Sequence, residues 1–527
     1  MSDFLKDIIP REYQKKILET CTNKNCLVVI PTGLGKTLIA LMLTIERMKK
    51  FPGEKVVFLA PTKPLAEQHL NYFKKNLPEL FGDMQLFTGS VKPEQRKEIW
   101  QTADIIFSTP QCVANDLRKK LYDLRDVCLL IEDEAHRCIK NYDYNYVASN
   151  YKEHSVNSRI LGLTASPGSE SSKIKEICEN LSIEAVEVRT RESSDVKQYL
   201  QELKFEKIML ELPVDFLKIK DSLLRLFHAY IGELRNRKVL WGPPSKTELI
   251  KTQKKIMLSI SKGNKNYNML LASSVCAQAI KIQHALELLE TQTLVGFNKY
   301  LKELFRKAAA KENKGVIKLV SKPEFNYAFM KSNEMLAKGI EHPKILRVKK
   351  LIEKEKKENE KTKIIVFAQF RETASLISKE IGNLHGIKAE VFVGQGGQIN
   401  SKKPEKSGKV PGMSQKEQKK IIEDFSSGKI NVLCATSIGE EGLDIPEVNV
   451  VIFYEPVPSA IRAIQRAGRT ARLAKGKLII LITKNTRDEM HFYVSRLKER
   501  KMHSAINTVK EHLIDKIKIE KQKTLEY

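Results

Sequence analysis

The strongest constraint on the fold is a repeated alternation of short apolar runs with helix-length amphipathic stretches. The alternation extends from about residue 26 to residue 188 and returns between residues 364 and 483. It is typical of β-α-β units, in which helices cover both faces of a parallel sheet. The strand-like runs are 26–31, 56–60, 105–108, 128–132 and 159–164, then 364–368, 388–393, 431–435, 448–454 and 477–483. The sequence therefore predicts two α/β domains.

The region between the two alternating parts has a different periodicity. It begins with one strand-like run at 206–212 and continues with apolar residues at helical spacing. The predicted fold class is therefore α/β, with two parallel-sheet domains and an α-helical insertion domain between them. We divide the chain into residues 1–205, 206–342 and 343–527, and expect one or two basic amphipathic helices at the end of the last part.

The charge balance indicates the class of partner. The 527 residues include 91 Lys and Arg against 64 Asp and Glu, a formal net charge of +27 at pH 7. Such an excess is typical of proteins that bind a polyanion, and nucleic acid is favoured. No apolar run approaches the roughly 20 residues of a membrane span, and the first ten residues lack the order of a secretory signal. We expect an intracellular, cytoplasmic protein without a membrane partner.

Lysines cluster within the predicted insertion. Lys251, Lys254 and Lys255 belong to a group of six lysines between residues 246 and 265, opposed there only by Glu248. The group is either a solvated helix face or a face that contacts nucleic-acid phosphates. The sequence leaves both interpretations open.

A glycine-rich segment follows the first strand-like run and precedes a helical stretch. Glycines allow backbone N–H groups to turn towards a phosphate, a lysine neutralises the β and γ phosphates, and a hydroxyl can hold Mg²⁺. The general phosphate-loop pattern has a glycine where this chain has Ile30, so the match is incomplete. The segment consists of Pro31, Thr32, Gly33, Leu34, Gly35, Lys36 and Thr37.

Three acidic residues, Glu132, Asp133 and Glu134, follow an apolar run about 100 residues after that loop. A carboxylate at the end of a strand can bind Mg²⁺, and its neighbour can deprotonate an attacking water. We assign the metal role to Asp133 and the base role to Glu134. The alternative, a solvated turn, fits poorly because three adjacent carboxylates repel one another without a cation.

Arginines recur at helical spacing in the second α/β region. Arg466, Arg469 and Arg472 occupy positions i, i+3 and i+6. On one side of a helix they could direct guanidinium groups across a cleft at a γ-phosphate. Alone, the motif is better explained as a surface stripe, but here it accompanies a phosphate loop and an acidic motif.

Nine short motifs occur in a fixed order along the chain, and together they resemble the motif series of superfamily-2 helicases. The residues within these motifs are most similar to those of the Hef/FANCM family. The resemblance covers nearly the whole chain, including residues 284–292 of the insertion. The motifs are Arg11 with Gln14, then 31–37, 60–65, 108–111, 133–136, 164–167, 366–372, 435–444 and 465–472.

This resemblance implies two RecA-like domains around an ATP cleft. It implies an ATP-dependent DNA helicase of 3′–5′ polarity that remodels stalled forks and branched, Holliday-junction-like DNA during repair. The implied roles are adenine recognition by Arg11 and Gln14; binding and hydrolysis of ATP with Mg²⁺ by Lys36, Thr37, Asp133 and Glu134; nucleotide contacts by Gly442, Asp444, Gln465, Arg469 and Arg472; coupling by Thr164 and Ser166; and nucleic-acid backbone contacts by Thr62, Lys63, Thr109, Thr436 and Ser437.

Two other functions remain open at this point. One is an RNA-directed helicase or ATP-dependent RNA sensor of the related branch, and the other is a nucleotide-gated clamp that does not translocate. The E-R-K-x-x-x-D signature of an XPF-type nuclease does not occur in the sequence. We therefore expect a separate protein partner, either a repair nuclease or a sliding clamp. The resemblance also implies an archaeal source.

Overall fold

A computed structural model describes residues 4–5, 8–200, 202–263, 266–394, 412–437, 445–467, 470 and 476–525. Within these residues, seven parallel strands form the first sheet, in the order β3-β4-β2-β5-β6-β1-β7. The strands are β1 Cys26–Val29, β2 Lys55–Leu59, β3 Met84–Phe87, β4 Ile105–Ser108, β5 Val127–Asp133, β6 Ile160–Thr164 and β7 Ala185–Val188.

Helices cover both faces of this sheet, as parallel strands require. Two separate clusters of buried apolar side chains, one on each face, form the core of this part. The helices are α1 Glu12–Asn23, α2 Lys36–Lys50, α3 Lys63–Asn76, α4 Pro93–Thr102, α5 Pro110–Arg118, α6 Asp143–His154, α7 Ser171–Asn180 and α8 Ser194–Lys197.

A helical bundle with its own apolar core follows in the chain. Its longest helix, α11, packs against α9, α10 and α12. Side-chain caps at Ser245, Asn266, Thr293 and Asn313 accept backbone N–H groups and fix four of the helix starts. The helices are α9 Val214–Asn236, α10 Lys246–Ser261, α11 Tyr267–Thr291, α12 Leu294–Ala309, α13 Lys314–Val320 and α14 Pro323–Ala337.

Six parallel strands of the described residues form the second sheet, in the order β10-β11-β9-β12-β13-β8. Its strands are β8 Leu203–Leu210, β9 Ile364–Phe367, β10 Ala389–Phe392, β11 Val432–Ala435, β12 Val450–Phe453 and β13 Gly476–Thr483. Its helices are α15 Pro343–Glu358, α16 Arg371–Gly382, α17 Gln415–Ser426, α18 Ala460–Ala467 and α19 Arg487–Leu525. The predicted class, two parallel-sheet domains with a helical domain between them, is confirmed.

One edge strand changes the predicted division of the chain. Strand β8 pairs with β13 over all eight of its residues, although the bundle separates them in sequence. The predicted boundary between residues 205 and 206 falls inside this strand. Backbone hydrogen bonding therefore assigns residues 203–210 to the second sheet, and the chain passes through that sheet once before it enters the bundle.

The C-terminal part is one long helix rather than two. Helix α19 begins beside the second sheet, and farther along it packs on α7 of the first α/β domain. Met502, Ala505, Ile506 and Val509 are buried in a core cluster of that domain. The helix therefore connects the two α/β domains by direct packing. Within the described part of the chain, no helix has both the length and the apolar character that a membrane crossing requires.

Candidate nucleotide and nucleic-acid site

Three of the predicted motifs meet at one edge of the first sheet. Strands β5, β6 and β1 are neighbours, with Asp133 paired to Leu163 and Val29 paired to Thr164. The phosphate loop, the acidic motif and the 164–166 segment each follow the carboxyl end of one of these strands. In open parallel sheets ligands bind at this edge.

The phosphate loop turns tightly into the first turn of α2. Gly33 and Gly35 have φ values of 87° and 78°, a left-handed conformation that favours glycine. A Cβ atom on Gly35 would also clash with Nε2 of Gln14. Lys36 is the first residue of α2, and its Nζ donates to the carbonyl of Ile30 at 3.1 Å. The loop thus presents a lysine and the positive end of a helix to one site.

Gln14, which has a predicted adenine role, lies directly against this loop. Its Nε2 donates to the carbonyl oxygen of Leu34 at 3.2 Å, and its Oε1 accepts the N–H of Arg11 at 2.9 Å. The Arg11 guanidinium lies 5.0 Å from the centre of the Tyr199 ring. The sequence did not indicate a role for Tyr13, whose hydroxyl donates to the carbonyl oxygen of Leu34 at 2.7 Å. Its only sequence signal is its position beside Gln14.

Asp133 is buried at the end of β5 and contacts a histidine from α3. Its Oδ2 lies 2.9 Å from Nε2 of His69. Burial raises the pKa of Asp133, but the hydrogen bond with His69 and the charges of His69 and Lys36 outweigh it, so the pKa lies below its ordinary value. An ionised carboxylate near Lys36 suits a Mg²⁺ ligand. The sequence did not indicate His69.

Glu134 adopts an uncommon backbone conformation for a residue with a side chain, with φ 52° and ψ 46°. Its Oε2 lies 3.1 Å from Nδ1 of His136, and the same nitrogen lies 3.3 Å from Oγ1 of Thr164. Thr164 Oγ1 donates to the Ser166 carbonyl at 3.1 Å and accepts the Ser166 N–H at 3.2 Å. The predicted base and the two predicted coupling residues therefore form one connected group.

Glu132 does not contribute to a cluster of three like charges. Successive strand residues point to opposite faces, so Glu132 is directed away from Asp133, where its Oε2 accepts from the Cys138 thiol at 3.0 Å. Burial raises the pKa of Glu132 to about 8, with the Cys138 hydrogen bond opposing. The predicted repulsion between three carboxylates is therefore absent, because one of them is buried and protonated at neutral pH.

Most of the predicted backbone-contact residues lie at the starts of loops or helices. Thr62 and Thr109 immediately precede α3 and α5 at the carboxyl ends of the adjacent strands β2 and β4. Lys63 Nζ donates to Ser90 Oγ at 3.4 Å. In the second domain Ser437 is exposed, whereas Thr436 is buried and its N–H donates to the carbonyl of Phe392 at 3.1 Å.

The predicted arginine stripe is wrong for its first member. Arg466 is fully buried, and its guanidinium carbon lies 5.0 Å from the centre of the Phe367 ring and 5.5 Å from that of Phe453. It points into the second domain because this face of α18 packs on the sheet. The side chain of Gln465 and the whole of Gly442, Asp444, Arg469 and Arg472 lie outside the described residues.

The lysines of helix α10 fall into two groups. Lys251, Lys254 and Lys255 are exposed along α10, and Lys251 Nζ lies 3.9 Å from Glu248. Lys246 instead forms an ion pair of 2.6 Å with Glu287 of α11. The opposing charge is therefore larger than the local sequence indicated, because α11 supplies Glu287.

Comparisons with known proteins agree with this arrangement. A model described as DEAD/DEAH box helicase matches residues 11–174, and one described as helicase conserved C-terminal domain matches residues 343–474. A model for the helical bundle of a provisionally named ATP-dependent RNA helicase matches residues 217–339. The crystal structure of the Pyrococcus furiosus Hef helicase domain is similar, with a TM-score of 0.69 and 40% identity, over 92% of this chain and 98% of that chain.

Similar curated proteins are longer. A protein of Methanocaldococcus jannaschii, provisionally named an ATP-dependent RNA helicase, is 38% identical over 94% of this chain and 60% of its own length. The ATP-dependent DNA helicase fml1 of Schizosaccharomyces pombe is 30% identical over 90% of this chain and 57% of its own length. The Fanconi anemia group M protein homolog of Mus musculus is 29% identical over 94% of this chain and 26% of its own length.

The two α/β domains, the motif order and these matches define a superfamily-2 helicase, a class that uses ATP and binds nucleic acid. Within that class the chain belongs to the Hef/FANCM family of helicases, and the predicted resemblance is confirmed. The chain spans about 60% or less of the length of the curated relatives described above.

Proposed function

We propose that this chain is an ATP-driven DNA helicase that remodels stalled forks and branched DNA in repair, with 3′–5′ polarity. The observation that carries the proposal is the convergence of the phosphate loop, Asp133 and the group of Glu134, His136 and Thr164 at one edge of the first sheet. A hydrolysis site connected to residues that respond to the second domain is what a nucleic-acid motor needs. The name of the Schizosaccharomyces pombe relative, an ATP-dependent DNA helicase, supports DNA as the track.

In this proposal the first domain binds the nucleotide. Lys36 and the N–H groups of the loop contact the phosphates, and Arg11 with Gln14 contacts the adenine. Thr37 and Asp133 would hold Mg²⁺, which when bound neutralises part of the phosphate charge. The lowered pKa of Asp133 supports this role because the carboxylate stays ionised.

The reaction proper depends on groups from both domains. Glu134 accepts the proton of the attacking water, and His136 fixes its carboxylate relative to Thr164. From the second domain, Gln465, Arg469 and Arg472 stabilise charge on the transferred phosphate, and Gly442 and Asp444 contact the nucleotide. Loss of the γ-phosphate would then change how the two domains meet at Thr164 and Ser166.

The proposed DNA contacts are of two kinds. Thr62, Lys63, Thr109, Thr436 and Ser437 contact the backbone of the translocated strand, which positions the strand without reading its sequence. Lys251, Lys254 and Lys255 contact a second duplex arm of a fork or junction. The proposal includes an archaeal cell as the setting, and a repair nuclease or a sliding clamp as a protein partner.

An RNA-directed helicase is the second candidate, and two observations favour it. The Methanocaldococcus relative and the model that matches the bundle both carry RNA helicase names. Backbone contacts alone do not separate the two nucleic acids, because phosphates are common to both.

The decisive experiment measures ATP hydrolysis side by side with single-stranded, duplex, forked and four-way DNA and with matching RNA. We expect the largest kcat/KM with forked or four-way DNA. A larger stimulation by RNA would replace the DNA proposal with the RNA-directed one. Tight nucleotide-dependent DNA binding without turnover would instead identify a clamp.

A further inference from the structure

A cluster of buried charged side chains lies where the bundle meets the second α/β domain. Lys344, in the first turn of α15, is fully buried and forms an ion pair with Asp488 of α19, which is also fully buried. The same Nζ donates to the Thr291 carbonyl at the end of α11, at 3.0 Å, and lies 5.1 Å from the centre of the Tyr454 ring. One ammonium group thus joins elements of the bundle and of the second domain.

Further contacts hold the end of α11 in the same place. Gln292 accepts the Thr373 hydroxyl at 2.8 Å through Oε1 and the Tyr454 hydroxyl at 3.3 Å through its carbonyl. Glu290, in the last turn of α11, pairs with Arg487 at 3.1 Å. Because α11 is the longest helix of the bundle, these contacts fix the bundle axis relative to the second sheet.

The cluster continues to helix α18 along the end of strand β12, beside Glu455. This residue follows β12 and is only 2% exposed. Burial raises the pKa of Glu455 to about 7, and the charges of Lys344 and Arg466 oppose that rise. Arg466 lies on α18, three and six residues before Arg469 and Arg472. The geometry agrees, because the Arg466 guanidinium carbon lies 5.5 Å from the centre of the Phe453 ring and Lys344 Nζ lies 5.1 Å from that of Tyr454. The end of β12 that leads to Glu455 therefore contacts both the lysine at the bundle and the helix that precedes the proposed phosphate-contacting arginines.

Burying this many charges is costly, and buried ion pairs frequently stabilise a fold less than apolar side chains of the same volume. Their best-attested value is to specify one arrangement of the elements that they join. We propose that Lys344 is a positioning residue that, together with Asp488 and Glu455, holds the bundle and helix α18 in one fixed relation, so that a DNA arm bound to the bundle acts on the arginine side of the ATP cleft. The hydrolytic consequence rests on the proposed function, whereas the fixed relation does not.

The first test measures that relation directly. Spin labels on Lys262→Cys, in the bundle, and Ser427→Cys, in the second domain, report the distance between two exposed sites, and all eight native cysteines are buried. We expect one narrow distance distribution, which broadens in Lys344→Met. The matched control is Lys349→Met on the same helix, whose ion pair with Glu380 is partly exposed; it should leave the distribution narrow. An unchanged distribution in Lys344→Met overturns the proposal.

The second test uses ATP hydrolysis with saturating forked DNA, because the proposal concerns a DNA arm bound to the bundle. Stimulation of the wild type by the same DNA checks the proposed function separately. We expect Lys344→Met and Glu455→Gln to lower kcat by about tenfold while KM for ATP changes by less than about twofold, because positioning is felt in the transition state. A purely structural role would lower stability and leave kcat per folded molecule unchanged, which would overturn the proposal. If Lys344→Met does not fold, Lys344→Met/Asp488→Asn removes both charges and retains the acceptor for the Thr483 N–H.

Discussion

The hydroxyl of Ser166 donates to the sulfur of Met502 at 2.8 Å, although 336 positions separate the two residues in the chain. Ser166 follows the strand that ends at Thr164, beside the acidic motif. Met502 lies on α19, which begins at the second sheet. The contact therefore connects the segment proposed to couple hydrolysis to movement with an element of the other α/β domain.

Replacing Met502 by Leu should separate hydrolysis from movement. The substitution conserves side-chain volume but removes the acceptor for the Ser166 hydroxyl. We expect ATPase activity within about twofold of wild type and strand displacement lowered by about three- to tenfold, because gating between domains is affected more than chemistry. Both rates are measured on the same partial-duplex DNA. Ser504→Ala, exposed on the same helix, is the control. Parallel losses of both activities would contradict the coupling role.

Variants of the phosphate loop and of the proposed base should both lose ATP hydrolysis but should differ in ATP binding. Lys36→Ala and Glu134→Gln should each lower kcat by about 10³ or more. Lys36→Ala also removes a phosphate contact and should weaken ATP binding, whereas Glu134→Gln keeps the shape of the site and should retain bound ATP. Equilibrium binding of ATP and steady-state turnover distinguish the two, with the exposed Glu79→Gln as control. Normal turnover by Glu134→Gln would show that the base assignment is wrong.

His69 should matter because it holds Asp133 from a second element. Its ring stacks on Phe58 with 4.4 Å between ring centres and meets Asp133 through Nε2. His69→Ala should lower kcat by about 10- to 100-fold, since a loosened carboxylate no longer has a fixed position. His69→Gln retains a donor and should recover much of the loss. The control is His154→Ala, which removes an exposed histidine. Equal rates for His69→Ala and wild type would exclude the positioning role.

The part of the site that could be predicted depends on local sequence. Asp133 and Gly35 could be placed because Asp133 ends a strand and Gly35 follows one, and neighbouring parallel strands present their carboxyl ends at one edge. The alternation of strand-like runs with helix-length stretches predicted both domains. No information beyond short segments and their order was needed for these residues.

The remaining features depend on contacts between distant parts of the chain. The whole bundle separates β8 from β13 in the sequence, so nothing near β8 indicates which strand it pairs with. The sequence of β8 alone therefore resembles the start of the insertion. Arg466 belongs to an evenly spaced arginine motif, and only the packing of α18 on the sheet determines that it points inward. The contact of Met502 with Ser166 has no sequence signal, because a buried methionine on a helix is normally core packing.

Glu132 should make stability depend on pH in a defined direction. Its folded pKa of about 8 lies above the ordinary value of 4.5. A raised folded pKa means that the folded chain binds the extra proton, so this contribution to stability is fully present below pH 4.5 and is lost as the pH rises through 8. Glu132→Gln removes the titrating group. Its thermal unfolding midpoint should therefore rise relative to that of wild type between pH 6 and pH 9, as followed by circular dichroism. A constant difference across this range would contradict the assignment.

The exposed lysines of α10 provide the test of the branched-DNA contact. Changing Lys251, Lys254 and Lys255 together to Gln should weaken binding to forked and four-way DNA more than binding to single strands. The slope of log K against log salt should fall by about 0.9 for each phosphate of the duplex arm that the variant no longer neutralises. ATPase activity with saturating single-stranded DNA should persist, because the nucleotide site lies in the α/β domains.

The matched control for this triple variant changes Lys302, Lys314 and Lys318 to Gln. These lysines are exposed on α12 and α13 of the same bundle, so the loss of net charge is identical and only the surface differs. If the control weakens fork binding equally, overall charge explains the effect and α10 has no special role. If the α10 variant binds forked and single-stranded DNA more weakly to the same extent, its lysines contact the translocated strand. A fork-specific loss in the α10 variant alone is the result expected of a surface that holds a second duplex arm, since only that arm is absent from a single strand.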